Sequence, residues 1–294
     1  MAISVKEIVT GRKTFFVTPY IDLIPESFLE DFFVSGYECY FVDNDKKIPL
    51  EMKLDIIISL FPDLILFFNI DYESEVHNWP NIIRHLIKKY QNKVKIGVMY
   101  IKRQSKEARS ELEQLYLYDM GLSCGCIQLE YQKNRNYEII ERILEANQAQ
   151  GRRVNIRAFC PPTCTFSFDY KESTFTGPLQ DISLSHFSIL LPIDALDIPV
   201  SKKLEDVRVN LKGYLIKTNV MLMAQREVNG QVLYVFAFIT PEGQGGLELR
   251  YKSALIPIIY KLMVSNTENL LDQVYDRTKE KLQEALALSR SSEK

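Results

Sequence analysis

The feature that most restricts what this chain can fold into is a change of hydrophobic rhythm near residue 150. Before it, short apolar runs alternate with longer amphipathic stretches. The strand-like runs are Thr14–Val17, Glu38–Val42, Leu64–Ile70, Lys95–Ile101 and Cys126–Leu129. They are rich in Phe, Val and Ile and almost continuous in apolar character, as strands covered on both faces must be. Between them the spacing predicts helices over Pro25–Val34, Leu50–Leu60, Asn81–Tyr90, Lys106–Asp119 and Tyr137–Ala146. Pro25 opens the first where a missing N–H costs nothing, and Gly36 closes it. In the third, Ile82, Ile83, Leu86 and Ile87 share one face while Arg84, Lys88 and Lys89 take the other. Strand, helix and parallel strand repeated in this way make a doubly wound parallel five-stranded sheet.

After the change, the runs are shorter and closer. Ala158–Cys160, Thr165–Tyr170, Phe175–Leu179, Phe187–Leu191, Arg208–Thr218, Met221–Glu227 and Val232–Ile239 read as strands, and Asn229-Gly230 is a hairpin signal between two of them. Closely spaced strands of this kind predict a small antiparallel β-barrel. Beyond Gly243-Gln-Gly-Gly246 the helical period returns in two runs, about 249–264 and 267–288. In the second, Leu271, Tyr275, Thr278, Leu282 and Ala285 form a short coiled-coil-like seam, so the chain is expected to be a monomer or a dimer through these C-terminal helices. The domain boundaries expected are 1–149, 150–246 and 247–294.

The N-terminal order resembles the receiver domain of response regulators, with its flavodoxin-like fold. Pro62-Asp-Leu-Ile-Leu is similar to the start of the receiver's third strand. The resemblance stops at the chemistry. Phosphoryl transfer there needs acidic residues after the first strand to hold Mg²⁺. This chain has Val17-Thr18-Pro19, with no acid before Asp22. The acceptor position falls on Phe68, with Asp71 the nearest alternative, and the later conserved-type positions fall on Tyr100 and Gln128. The expectation is a receiver-like domain that is not phosphorylated.

The junction carries the most specific signal. Arg152-Arg153-Val-Asn-Ile-Arg157 precedes the first barrel strand, and Asp181-Ile-Ser183 follows it in the sequence. An arginine pair four apart followed by Asp-x-Ser resembles the paired signature of PilZ domains, over roughly residues 150 to 245. The run at 232–238 is similar to the strand that closes the PilZ barrel. The resemblance implies a receptor for cyclic di-GMP. In it, Arg153 and Arg157 clamp phosphate and stack on a base, Asp181 and Ser183 read guanine, and Arg152 is an additional contact. Those residue types suit the ligand. A guanidinium grips phosphate bidentately or stacks on a purine, and a carboxylate accepts from guanine N1–H and N2–H₂. The family's closing glycine falls on His186, which is therefore a further candidate contact.

The rest of the sequence narrows the function class. Charge is nearly balanced, with 36 Lys+Arg against 38 Asp+Glu, so no global field draws the chain to nucleic acid or anionic lipid. No apolar leader or membrane-length run is seen, and the protein is expected to be cytoplasmic and not inserted in a membrane. The five cysteines read as reduced thiols that pack as small hydrophobes. Cys124-Gly-Cys126 and Cys160-Pro-Pro-Thr-Cys164 lack the spacings of zinc ribbons or fingers. His77 and His85 are assigned no role. No phosphate-binding glycine loop, nucleophile elbow or metal cluster is present, so a binding protein without cofactor is expected rather than an enzyme. Its expected partners are cyclic di-GMP and an unidentified protein, with the motility, adhesion or surface-polysaccharide roles that the PilZ resemblance implies. Two other readings use the same residues: a scaffold without nucleotide, and a phosphorylated regulator with a PilZ-like output.

Overall fold

The computed structural model describes residues 12–292 apart from 46, 62, 73–77, 102–104 and 152–154; of residues 92, 282 and 284–292 it describes the backbone alone. Two compact units divide the chain, residues 1–154 with 267–294, and residues 155–266.

The first unit is built on a parallel sheet of β1 (Lys13–Val17), β2 (Glu38–Val42), β3 (Leu64–Asn69), β4 (Val94–Ile101) and β5 (Cys126–Leu129), in the order β2-β1-β3-β4-β5. That is the flavodoxin-like order. The connecting helices are α1 (Glu26–Val34), α2 (Leu50–Leu60), α3 (Trp79–Tyr90), α4 (Lys106–Glu113) and α5 (Lys133–Ala146). β1 and β3 are buried at every residue, which is why their sequences show no alternation. Packing between β3 and β4 is tight enough that a Cβ on Gly97 would lie 2.8 Å from the Phe67 ring. Phe67 in turn stacks on Phe16 at 5.4 Å. α3 begins two residues before the sequence indicates, because Asn78 Oδ1 accepts from Asn81 N–H at 3.1 Å and caps it. The helix expected over 106–119 changes character at Gln114. A π-helical turn, Gln114–Asp119, buries Tyr116 and leaves Tyr118 75% exposed.

At the C-terminal edge of this sheet the loops are tied to one another. Asn69 Nδ2 donates to Thr18 O at 2.8 Å, and Asn69 Oδ1 accepts from Asp71 N–H at 3.1 Å. Asp71 Oδ2 accepts from Ile101 N–H at 2.7 Å. Phe68 is fully buried, with its ring 5.5 Å from that of Trp79.

The second unit is an antiparallel barrel. β8 (Ser173–Ile182), β7 (Thr165–Tyr170), β10 (Lys203–Leu211), β11 (Tyr214–Val228), β12 (Gln231–Ile239) and β9 (His186–Pro192) pair in that order, and β8 also pairs with β9, which closes the ring. A two-residue strand, β6 (Ala158–Phe159), adds to the outside of β8. Closure leaves the six strands of the ring without a free edge. Phe166, Phe168, Ile182, Phe187, Val209, Ile216, Phe236 and Phe238 fill the interior. Phe187 and Phe236 stack there at 5.3 Å.

Two expectations need correction. The run Arg208–Thr218 is not one strand: Lys212 and Gly213, with φ of 50° and 95°, turn the chain between β10 and β11. β11 then continues unbroken through Met221–Glu227, absorbing an irregularity between Leu222 and Ala224. Nor are there two C-terminal helices. One helix, α6 (Leu249–Ser292), runs through the expected break at Ser265-Asn266. No glycine or proline stands there to stop it, and the Asn266 amide donates to Phe159 O at 3.1 Å instead of competing with the helix backbone. α6 is shared by the two units, which divide it between Asn266 and Thr267. Leu255, Ile259, Tyr260, Leu262 and Met263 are its buried apolar residues in the second unit. In the first, Leu270 and Leu271 are buried, and Asp272 pairs with Lys47. Of the expected seam, the Leu282 and Ala285 side chains lie outside the described residues. Among the described residues no helix is long and apolar enough to cross a membrane.

Candidate functional site

Strand register places the acid of the motif. Phe159 of β6 and Ser188 of β9 both stand opposite Asp181 of β8. Directly opposed residues share a face, so these three point outward while Ile182 and Phe187, one residue along, point into the barrel. Arg157 precedes Phe159 by two residues and emerges on that outer side. Its Nη1 lies 3.8 Å from Asp181 Oδ2, with 31% of the arginine side chain and 14% of the aspartate side chain exposed. The barrel wall thus holds a carboxylate and a guanidinium together and partly open to solvent. Arg152 and Arg153 lie outside the described residues.

Ser183 begins the turn between β8 and β9 and is 1% exposed. Its N–H donates to His186 O at 2.8 Å. Its Oγ accepts from His186 N–H at 3.1 Å and Ser185 N–H at 3.3 Å, and donates to His186 O at 3.2 Å. The hydroxyl closes the turn that follows Asp181, and the buried serine serves the loop's own backbone.

His186 opens β9 opposite Ala237 and does not adopt a left-handed backbone. The freedom a glycine would supply is not used at this position. Its imidazole Nδ1 meets Ser185 Oγ at 2.7 Å. Burial, then the Arg157 charge, hold the imidazole below its ordinary pKa, with Asp181 acting in the opposite direction.

Two serines here escaped the sequence reading. Ser185 orients the His186 ring, and the Ser-x-Ser alternation in the turn was its signal. Ser188 is fully buried beside Asp181, and its hydroxyl finds no hydrogen-bond partner among the described residues. Its outward position is legible only once β9 is in register with β8. No group of three or more His, Cys, Asp or Glu is gathered for a metal among the described residues.

No family model matches the chain, and no curated protein matches it. Solved structures do. YcgR of Escherichia coli in complex with c-di-GMP matches at 20% identity and a TM-score of 0.35, over 42% of this chain and 51% of that one. The PilZ domain of YcgR with c-di-GMP matches at 20% identity and a TM-score of 0.34, over 40% of this chain and 97% of the domain. The Bacillus subtilis inhibitor of motility, MotI/DgrA, matches at 12% identity and a TM-score of 0.31, over 40% of this chain and 52% of that one. This chain therefore spans about half the length of the first and third of these. The strand orders define a doubly wound parallel α/β unit joined to a closed antiparallel six-stranded barrel.

Proposed function

We propose that the barrel unit is a receptor for cyclic di-GMP, and that the chain passes ligand binding on to a protein partner rather than catalysing a reaction. The observation that carries this reading is the convergence of Arg157 and Asp181 on one outward patch of the barrel wall. The two chemistries that a guanine nucleotide requires stand side by side there. Asp181 presents acceptors suited to the donor edge of guanine, and Arg157 presents a planar cation suited to phosphate or to stacking. Arg153, four residues earlier, supplies the second guanidinium of the motif. Ser183 contributes by fixing the turn behind Asp181. YcgR, whose structures contain c-di-GMP, is the comparison that agrees with this ligand.

A ligand held between the arginine segment and the barrel biases the arrangement of that segment, which is how binding is read out. Motility, adhesion or surface control are the outputs that the PilZ resemblance suggests. Calorimetric titration of the purified chain with cyclic di-GMP tests the reading, since the ligand-free scaffold alternative predicts no saturable heat at any concentration.

A further inference from the structure

Two cysteines bond to the strand that carries Asp181 and take no part in the ligand contacts just proposed. Cys160 follows β6 directly, and its N–H donates to Gln180 O at 3.1 Å, extending the β6–β8 pairing by one residue. Cys164 directly precedes β7, and its carbonyl accepts from Leu179 N–H at 2.9 Å. Both cysteines therefore grip the same strand at adjacent residues. Pro161-Pro162-Thr163 joins them through a tight turn closed by Cys164 N–H to Pro161 O at 2.9 Å.

The turn brings the sulfurs together. The two thiols influence each other's titration: the neighbouring sulfur raises the pKa of Cys160 and lowers that of Cys164, and the Lys212 N–H and charge lower Cys164 further. Cys164 is fully buried and Cys160 is partly exposed. The other three cysteines differ. Cys39 is fully buried, and burial pushes Cys39, Cys124 and Cys126 towards the neutral thiol.

We propose that Cys160 and Cys164 form an oxidant-sensitive dithiol, closed by hydrogen peroxide to an intramolecular disulfide next to Asp181. A disulfide requires Cβ atoms within about 3.5–4.5 Å, a separation within reach of two cysteines that bond adjacent residues of one strand and are joined by a single tight turn. Loss of one proton to solvent leaves a monoanion whose remaining proton rests mainly on Cys160 and passes between the two sulfurs. With that proton on Cys164, the partly exposed Cys160 thiolate attacks one peroxide oxygen, the O–O bond breaks, and Cys160 becomes a sulfenic acid. The departing hydroxide takes the Cys164 proton to form water. The Cys164 thiolate then attacks the Cys160 sulfur, the S–O bond breaks, and the second hydroxide is protonated by solvent. Two thiols and one peroxide give one disulfide and two waters.

The test is peroxide treatment of the reduced, folded full-length protein, followed by alkylation under denaturing conditions, proteolysis and mass spectrometry. The expected product has lost two hydrogens on the peptide carrying Cys160 and Cys164, resists alkylation there, and is restored by dithiothreitol. Cys39, Cys124 and Cys126 remain alkylated. Cys160→Ser is expected to abolish the two-hydrogen loss and leave Cys164 alkylatable. The proposal is overturned if, after the folded protein has met peroxide doses that oxidise a free thiol, both thiols are still alkylated on denaturation. It is equally overturned if Cys160 advances to sulfinic acid without bridging, or if the bridge joins other cysteines.

Discussion

Arg157 and Asp181 meet across the β6–β8 pair with 3.8 Å between Nη1 and Oδ2. That is an ion pair rather than a hydrogen bond, and both side chains keep some exposure. Partly exposed pairs of this kind contribute roughly 0–1 kcal/mol. A ligand that offers phosphate to the arginine and guanine donors to the aspartate therefore replaces a weak contact with stronger charge-assisted ones. The pair orients its members without committing them to each other.

The two buried serines of this region should respond in opposite senses. Ser183→Ala leaves the Ser185 and His186 N–H groups without their acceptor, and a loss of about 1–3 kcal/mol is expected. Ser188→Ala removes a buried hydroxyl that has no partner among the described residues, so stability is unchanged or rises. Urea unfolding of the two variants checks the contrast.

His186 gives a pH dependence of defined sign. Its folded pKa lies below the ordinary 6.5, chiefly through burial. The unfolded chain therefore takes up the proton first as pH falls. The stability contribution is full above 6.5 and declines as pH drops through the folded value. His186→Gln should flatten the fall in urea midpoint below about pH 6.5 without touching the plateau above it. A slope unchanged by the substitution would place the titrating group elsewhere.

Gly97 is expected to resist even alanine. The added Cβ would sit 2.8 Å from the buried Phe67 ring, which is itself stacked on Phe16. Overpacking of about 1–3 kcal/mol is expected, measurable as a lowered unfolding midpoint with an unchanged denaturant slope.

The α/β unit should not accept phosphate. Phe68, where the receiver resemblance would place the acceptor, is fully buried, while Asp71 accepts the Ile101 N–H. Incubation with acetyl phosphate and Mg²⁺ is expected to leave the intact mass unchanged. A phosphate adduct lost in Asp71→Asn would revive the response-regulator reading.

Much of this architecture was readable from residues alone. The five parallel strands announced themselves because burial on both faces forces unbroken apolar runs such as Leu64–Asn69. Strand boundaries in the barrel were harder. Val207, Val209, Leu211 and Leu215 continue one apolar alternation in the sequence across the Lys212-Gly213 turn, although Leu215 is exposed and Ile216 is the buried residue, so periodicity alone does not show where β10 ends. α6 runs on past Asn266, whose side chain is taken up by a bond to Phe159, more than a hundred residues away in sequence. At the site, the Arg157 and Asp181 motif positions were legible and their proximity was not. That proximity follows from β6 pairing with β8, a two-residue strand too short to carry a sequence signal. The role of the Ser183 hydroxyl inside the turn likewise emerged only with the backbone of 183–186 in place.

The central claim is tested most directly by calorimetric titration of cyclic di-GMP into the wild-type chain, Arg157→Ala and Asp181→Asn. Saturable binding to the wild type is predicted, weakened at least about tenfold, or some 1.4 kcal/mol, by each substitution, with both variants retaining the wild-type fold by circular dichroism. Absence of binding to the folded wild-type protein, or binding that neither substitution weakens, would contradict the account.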